Sequence, residues 1–207
     1  MSKAAPRSVT PHSAAAPVPR AAERIRASAR ELFYQEGIRA VGVDEIVQRA
    51  GVTKPSLYRA FPSKDDLAAA YLSDYDREFW PRFEKPEGKS YSDARAQVLA
   101  YIRELAKRAA RDGYRGCGLS NAAVEYPGHT HPARLVAETH KKALRQRLRE
   151  LAAEMGARDP RVLGDGLMLL IEGIYVSGQL SAAGPAQSAT AVAEMLIDAS
   201  IKPARPR

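Results

Sequence analysis

Cysteine is nearly absent from this sequence of 207 residues, since Cys117 is the only one. A single thiol excludes an intrachain disulfide and a zinc site built from several cysteines. No uninterrupted apolar run approaches the roughly 20 residues that a membrane-spanning helix needs. The first residues also lack the apolar stretch of a secretory signal. We therefore expect a cytoplasmic protein without a membrane segment.

Acidic residues are scarce relative to basic ones: 24 Asp and Glu stand against 32 Lys and Arg, a formal net charge of +8. The excess is concentrated in residues 1–20 and 49–64, which contain no acid at all. The cations in these two segments are Lys3, Arg7, Arg20, Arg49, Lys54, Arg59 and Lys64. Such local positive charge favours a polyanionic partner, of which nucleic acid is one.

Apolar residues recur at helical spacing through most of the chain, and no segment shows the alternation typical of a β-strand. Capping residues and glycine or proline stops divide this pattern into about nine helices, so the sequence predicts an all-α fold. Asp44 and Thr53 are expected to cap the second and third helices. Ser90 and Asp93 form a capping pattern before the fifth helix. Pro81 is expected to end or kink the fourth.

Residues 43–61, VDEIVQRAGVTKPSLYRAF, have the order of helix, tight glycine turn and helix that a helix-turn-helix requires. Apolar positions such as Ile46 and Leu57 are expected to pack inward. The outward positions combine cations with hydroxyl groups, which contact the phosphates and base edges of DNA. They are Lys54, Ser56, Tyr58 and Arg59. A packed hairpin with a solvated polar face is the alternative interpretation.

Residues 22–72, which include AGVTKPSLYRAFPSKDDLAAAYL, resemble the N-terminal DNA-binding domain of TetR/AcrR-type bacterial transcriptional regulators. The resemblance implies a recognition helix in the major groove and a C-terminal helical domain that binds a small effector and dimerises through its last two helices. It implies that the DNA-binding residues are Thr53, Lys54, Pro55, Ser56, Tyr58, Arg59 and Lys64. This chain has Gly42 and Val43 where the family commonly has a Thr or Ser just before the second helix.

The sequence therefore predicts a flexible basic arm (residues 1–20), a helix-turn-helix domain (21–66), an effector-binding and dimerisation domain (67–202) and a tail (203–207). We expect a dimeric repressor that leaves a palindromic operator when a small molecule binds. A repressor switched by oxidation of Cys117 and a non-specific architectural DNA-binding protein are the alternatives. No catalytic triad, phosphate loop or metal cluster supports an enzyme, and no cofactor or metal is expected.

Aromatic residues are concentrated on the fourth and fifth predicted helices, where they form either a pocket wall or core packing. The segment RGCGLSNAAVEY also resembles a G-C-x-x-x-N-x-x-x-E pattern found in one group of these regulators. Its Asn121 and Glu125 either face the pocket or tie the sixth helix to its neighbours. The predicted effector-binding residues are Tyr75, Phe79, Trp80, Phe83, Tyr101, Leu105, Cys117, Asn121, Glu125, Met168, Glu172 and Tyr175.

The eighth predicted helix carries glycines that destabilise a helix unless another helix approaches closely. Together with the ninth helix it is expected to form a four-helix dimer interface. The predicted interface residues are Gly166, Leu170, Gly173, Ser177, Val192, Leu196 and Ala199. The alternative is that the same surface is filled within one subunit. His129, His131 and His140 do not share a helical face, so the sequence predicts no metal site there.

Overall fold

A computed structural model describes residues 20–201, so the predicted tail and all of the predicted arm except Arg20 lie outside the described residues. The described residues form nine α-helices and no β-strand, which confirms the all-α prediction. Two short 3-10 helices occupy Pro86–Gly88 and Pro185–Ser188. The helices are α1 (Ala21–Glu36), α2 (Val43–Ala50), α3 (Lys54–Ala60), α4 (Lys64–Glu84), α5 (Ala94–Ala109), α6 (Gly118–Glu125), α7 (Pro132–Glu154), α8 (Pro160–Leu180) and α9 (Ala189–Ser200).

Helices α1 to α3 pack around fully buried aliphatic side chains that include Ile25, Ile46 and Leu57. The turn between α2 and α3 depends on Gly51, whose φ of 61° lies in the left-handed region that glycine adopts without a steric penalty. Thr53 caps α3 as predicted, because its side chain accepts a hydrogen bond from the backbone N–H of Ser56.

Two of the predicted helix caps are wrong, and Pro81 does not end α4. The N-cap of α2 is Gly42, and Asp44 lies inside the first turn, where the helix dipole favours a carboxylate. Asp93 alone caps α5, accepting from two backbone N–H groups, so Ser90 is not needed. Helix α4 continues through Pro81 to Glu84. This proline lies in the last turn, so its missing N–H removes only one hydrogen bond near the helix end.

Helices α7 and α8 form the centre of the C-terminal helices and pack closely against each other. Leu144, Leu148, Leu167 and Ile171 are fully buried between them and their neighbours. At Gly164 an added Cβ would lie 2.8 Å from backbone atoms of Arg149, so a larger residue would push the two helices apart. Helix α4 packs on both α1 and α7, and thereby joins the helix-turn-helix to the rest of the molecule.

Candidate functional site

Helix α3 presents one polar face to solvent and one apolar side chain to the core. Leu57 is completely buried against α1 and α2, which fixes the rotation of this short helix. The predicted DNA-binding residues of this segment therefore point away from the protein, and Tyr58 is 48% exposed. Ser56 is half-buried, and the exposed positions are Thr53, Lys54, Pro55, Tyr58 and Arg59.

Lys54 is not a free cation, because its Nζ lies 2.7 Å from Oδ1 of Asp44 on α2. The hydrogen bond and the charge of this carboxylate raise the pKa of Lys54. Both side chains are exposed, so the pair is open to exchange with another anion. The acid-free stretch of residues 49–64 concealed this partner, which comes from the preceding helix.

Lys64 lies at the first turn of α4 and is half-buried, and burial lowers its pKa. Its Nζ donates to the carbonyl oxygen of Arg39 at 3.2 Å. The backbone N–H of Arg39 in turn donates to the Glu125 carboxylate at 2.8 Å. The α1–α2 loop is therefore held from α4 by Lys64 and from the end of α6 by Glu125, which also accepts from the Arg39 guanidinium through its backbone carbonyl oxygen.

A cavity of about 490 Å³ lies between α1, α4, α5, α8 and the loop that precedes α6. Its volume falls within the range of about 300–1,000 Å³ that is usual for small-molecule sites. Five of the predicted effector-binding residues line it, which are Tyr75, Phe79, Tyr101, Leu105 and Tyr175. The structure thus brings these residues from three helices to one cavity.

One wall of the cavity comes from α1, and no residue of α1 was among the predicted effector-binding residues. That wall consists of Ala27, Arg30, Glu31, Tyr34 and Gln35. The other lining residues missed from the sequence include Tyr71, Arg82, Arg108, Arg111 and Tyr114. The spacing on α4 does indicate Tyr71. It precedes the predicted residues Tyr75 and Phe79 at intervals of four, so the three share one helix face.

Trp80 and Phe83 do not line this cavity. Trp80 lies at a shallow groove between α4 and α7, where its Nε1 donates to Asp76 at 3.0 Å. Phe83 is buried in the core and stacks on Phe79. Phe79 and Trp80 are consecutive on a helix and point about 100° apart. They therefore face different surroundings.

The polar effector candidates of α6 and α8 are also outside the cavity lining. Asn121 donates to the Arg115 carbonyl oxygen at 2.6 Å, and Glu125 binds the backbone of Arg39. Glu172 accepts from Lys141 at 2.6 Å and from Ser120 at 2.7 Å. For Asn121 and Glu125 the contacts correspond to the alternative in which they tie the sixth helix to its neighbours, and Glu172 likewise joins α8 to α6 and α7. Met168 is half-buried and packs against the core.

Cys117 is completely buried at the N-cap of α6. Its Sγ lies 3.6 Å from Nζ of Lys141, which is itself paired with Glu172. Redox-sensing thiols are solvent-accessible, and this one is not.

Helices α8 and α9 expose a stripe of large apolar side chains. Its most exposed members are Val162, Leu169, Val176, Leu180, Val192 and Met195. Of the predicted interface residues, Gly173, Val192 and Ala199 are exposed, while Leu170 and Ser177 are half-buried. Gly166 instead faces Leu196 of the same chain, with 3.0 Å from an added Cβ to the leucine side chain.

The three histidines within residues 20–201 each pair with one carboxylate: His129 with Glu138, His131 with Asp65 and His140 with Asp76. In residues 20–201 there is no group of three or more side chains suited to a metal ion. No helix in this part of the chain combines the length and the apolar character needed to cross a bilayer.

The model of the family described as bacterial regulatory proteins, tetR family, matches residues 25–71. Over 162 residues the chain is 31% identical to the transcriptional regulator AcuR of Cereibacter sphaeroides, with 72% of each chain covered. It is 26% identical to the HTH-type transcriptional repressor BdcR of Escherichia coli, over 74% of this chain and 77% of that one.

Solved structures show the same relationship. The chain is similar to a TetR-family transcriptional regulator from Streptomyces coelicolor, with 32% identity, a TM-score of 0.83 and coverage of 88% of this chain and 96% of that chain. A TetR-type regulator from Streptomyces avermitilis gives 28% identity and a TM-score of 0.80 over 88% and 98%. The helix-turn-helix, the helical fold and these relatives agree, and the chain belongs to the TetR family of bacterial DNA-binding transcriptional regulators, which are not enzymes.

Proposed function

We propose that this protein is a dimeric repressor that binds a palindromic operator through α3 and leaves it when a small molecule occupies the cavity beside α1. One observation carries this proposal. Helix α1 packs against the recognition helix with one side and forms a wall of the 490 Å³ cavity with the other. A ligand in that cavity touches the DNA-binding domain directly.

Ligand binding acts on DNA affinity only if the two arrangements of the protein bind the ligand differently. A ligand that fits better when α1 is displaced favours a spacing of the two recognition helices that no longer matches the operator. Operator and ligand then reduce each other's affinity by the same factor, typically about 5- to 150-fold. Operator DNA as the partner also supports a cytoplasmic location.

The dimer is supported by the exposed apolar stripe on α8 and α9, because monomeric proteins rarely leave large contiguous apolar patches in water. A two-fold axis through this stripe would pair α8 and α9 with their copies as a four-helix bundle. Two α3 helices related by that axis read an inverted repeat whose half-sites are about one helical turn of DNA or a multiple apart.

The test is a selection of genomic DNA fragments on the purified protein, followed by gel-shift titration with the selected duplex and a scrambled one. We expect the selected duplex to contain an inverted repeat and to bind at least about 1,000-fold more tightly at physiological salt. Equal affinity for both duplexes would favour a non-specific architectural protein. A reporter gene behind the selected site should be repressed when the protein is expressed, and activation would refute the repressor role.

A further inference from the structure

The lining of the cavity divides into a buried floor and an exposed mouth. The floor consists of the buried lining residues, which are Tyr71, Phe79, Tyr101, Leu105, Gly116 and Tyr175. None of these six residues carries a charged side chain. The mouth consists of the exposed lining residues, and every charged lining residue except the half-buried Arg108 is among them. Charge is therefore concentrated where the cavity meets solvent.

Aromatic rings make up most of the floor, and they lie edge to face. The rings of Phe79 and Tyr101 are 5.9 Å apart, with an interplanar angle of 72°. On the same face of α4 the rings of Tyr71 and Tyr75 are 6.3 Å apart, also at 72°. Ring pairs in this arrangement attract each other more than the buried area alone would give. A flat aromatic ligand would therefore extend an arrangement that the floor already has.

Three of the six tyrosine hydroxyl groups around the cavity are bonded to the protein itself. The Tyr34 hydroxyl accepts from the backbone N–H of Arg115 and donates to the carbonyl oxygen of Gly116. The hydroxyls of Tyr101 and Tyr175 lie 2.9 Å apart and bind each other. These three tyrosines therefore offer a ligand mainly their rings.

Two further hydroxyl groups, those of Tyr71 and Tyr114, are enclosed by the protein. The Tyr71 hydroxyl lies against α6, 2.6 Å from the position of an added Cβ at Gly118. Burial raises the pKa of both phenols above the ordinary value for tyrosine, and it raises the pKa of Tyr101 to about 12. The phenols are thus neutral, and none of the three supplies a negative charge for a cationic ligand.

The arginines nearest the floor already have anionic partners. Arg108 donates to Glu104 at 2.8 Å, and its guanidinium lies over the Tyr101 ring, 5.8 Å from the centroid. Arg30 on α1 pairs with Glu78 on α4. A charged group that reached the floor would lose its hydration without gaining an ion pair there, which opposes its binding.

We propose that the ligand of this cavity is a flat aromatic molecule whose inner end is uncharged and packs between the rings of the floor. A charge at its outer end stays hydrated at the mouth and is tolerated there. This inference rests on the proposed function and deepens it, because it names the chemical class of the effector.

The test is calorimetric titration of the full-length protein with naphthalenes that differ in the number and place of their charges. A charge at both ends must bring one of them to the floor, whichever way the molecule enters. We therefore expect 2,6-diacetylnaphthalene to bind about tenfold or more tightly than 2,6-naphthalenedicarboxylate and 2,6-bis(aminomethyl)naphthalene. By contrast, 2-naphthoate should bind within about threefold of 2-acetylnaphthalene, because its one carboxylate can remain at the mouth. The inference is overturned if either doubly charged probe binds as tightly as the diketone, or if neither ketone binds up to its solubility.

The aromatic part of the inference has its own control. The saturated analogue 2-acetyldecalin has the same carbon skeleton as 2-acetylnaphthalene but is not flat and has no ring edges or faces to pair. We expect it to bind about threefold or more weakly. Equal or tighter binding of the saturated ketone would refute an aromatic ligand.

Two substitutions at the mouth locate the probes in this cavity. Ala27 and Gln35 line it from α1 and are exposed, so both positions accept a charged side chain. Ala27→Lys should strengthen binding of 2-naphthoate relative to 2-acetylnaphthalene by about threefold or more, and Gln35→Glu should weaken it by a similar factor. Ala153→Lys, exposed on α7 outside the lining, should leave the ratio unchanged. An unchanged ratio in both mouth variants would show that the naphthalenes bind elsewhere and would refute the assignment.

The same probes separate this inference from the proposed function. A ketone that binds with the expected preferences but leaves the operator bound in a gel shift would support the ligand class and refute the effector role. Operator release by a doubly charged probe, with no ketone binding, would support an effector-controlled repressor and refute the ligand class.

Discussion

At the scale of single residues, the proposed contact of Lys54 with DNA has to compete with its ion pair to Asp44. To make that contact, Lys54 would exchange a carboxylate 2.7 Å away for a phosphate or a base, and the carboxylate would remain close to the polyanion. We expect Asp44→Asn to raise operator affinity about two- to fivefold at low salt, because it removes this repulsion and frees Lys54. Gel-shift or fluorescence-anisotropy titration measures the change.

The control for this variant is Glu45→Gln, which removes an acid from the same helical turn without touching Lys54. A gain of the same size in both variants would show that net charge alone is responsible. Weaker binding by Asp44→Asn would mean that the carboxylate orients Lys54 rather than competing for it.

Cys117 provides a second test at this scale. Its thiol is completely buried, so we expect a mild oxidant to leave operator binding unchanged in the wild type and in Cys117→Ser alike. The measurement is operator binding before and after peroxide treatment, with Cys117→Ala as a variant that adds no buried hydroxyl. Oxidant release in the wild type that disappears in both variants would establish the redox-switched repressor instead.

At the scale of elements, α1 is attached to α4 by two ion pairs, Arg26 with Asp74 and Arg30 with Glu78. Exposed pairs of this kind contribute only about 0–1 kcal/mol to stability. We regard them as a loose attachment that permits α1 to move.

We expect Glu78→Gln to speed amide hydrogen exchange in α1 by up to about fivefold, since it weakens one of the two attachments. Exchange in α7 should not change. The control is Arg145→Gln, which breaks an ion pair between α7 and α8. It should leave amide exchange in α1 unchanged. Unchanged exchange in α1 of Glu78→Gln would show that apolar packing alone holds this helix.

The elements themselves could be predicted because their signals are local. Gly51, Thr53 and Ser63 determine turns and caps within four residues of themselves, and the structure has a helix end or start at each. The prediction of Asp44 as a cap was wrong, and Pro81 does not end α4, because a second local effect applies at each position. An acid is favourable inside a first turn as well as at a cap, and a proline near the end of a helix disrupts little.

At the scale of the whole molecule, the proposed dimer makes a direct prediction. Leu169→Glu should leave the fold intact, since the side chain is 73% exposed in the single chain. It should shift the protein from dimer to monomer in sedimentation equilibrium and weaken operator binding at least about 100-fold, because the two half-sites are no longer bound together.

The control for the dimer variant is Leu135→Glu on α7, which is also exposed but lies outside the α8–α9 stripe. It should remain dimeric. A wild type that sediments as a monomer at micromolar concentration would refute the dimer, whatever the variant does.

The cavity could be predicted only in part, because its walls come from distant parts of the chain. The spacing of residues on α4 and α5 predicts Tyr75, Phe79 and Tyr101 on common faces. Tyr34 and Tyr114 lie far apart in sequence, and their approach depends on how α1 docks against the α5–α6 loop. Nothing local encodes that docking, so the α1 wall appears only in the folded structure.

The two-sided role of α1 has a consequence for how such a regulator changes by mutation. One helix of 16 residues packs on α3 with one side and lines the cavity with the other. If α3 reads the operator and the cavity binds the inducer, as we propose, selection for a new inducer and selection for operator affinity act on the same segment. We then expect substitutions at Arg30 or Tyr34 that alter the inducer response to alter repression in its absence as well. New inducer specificity should therefore arise more readily through α5 and α8, which line the cavity without packing on α3 as α1 does.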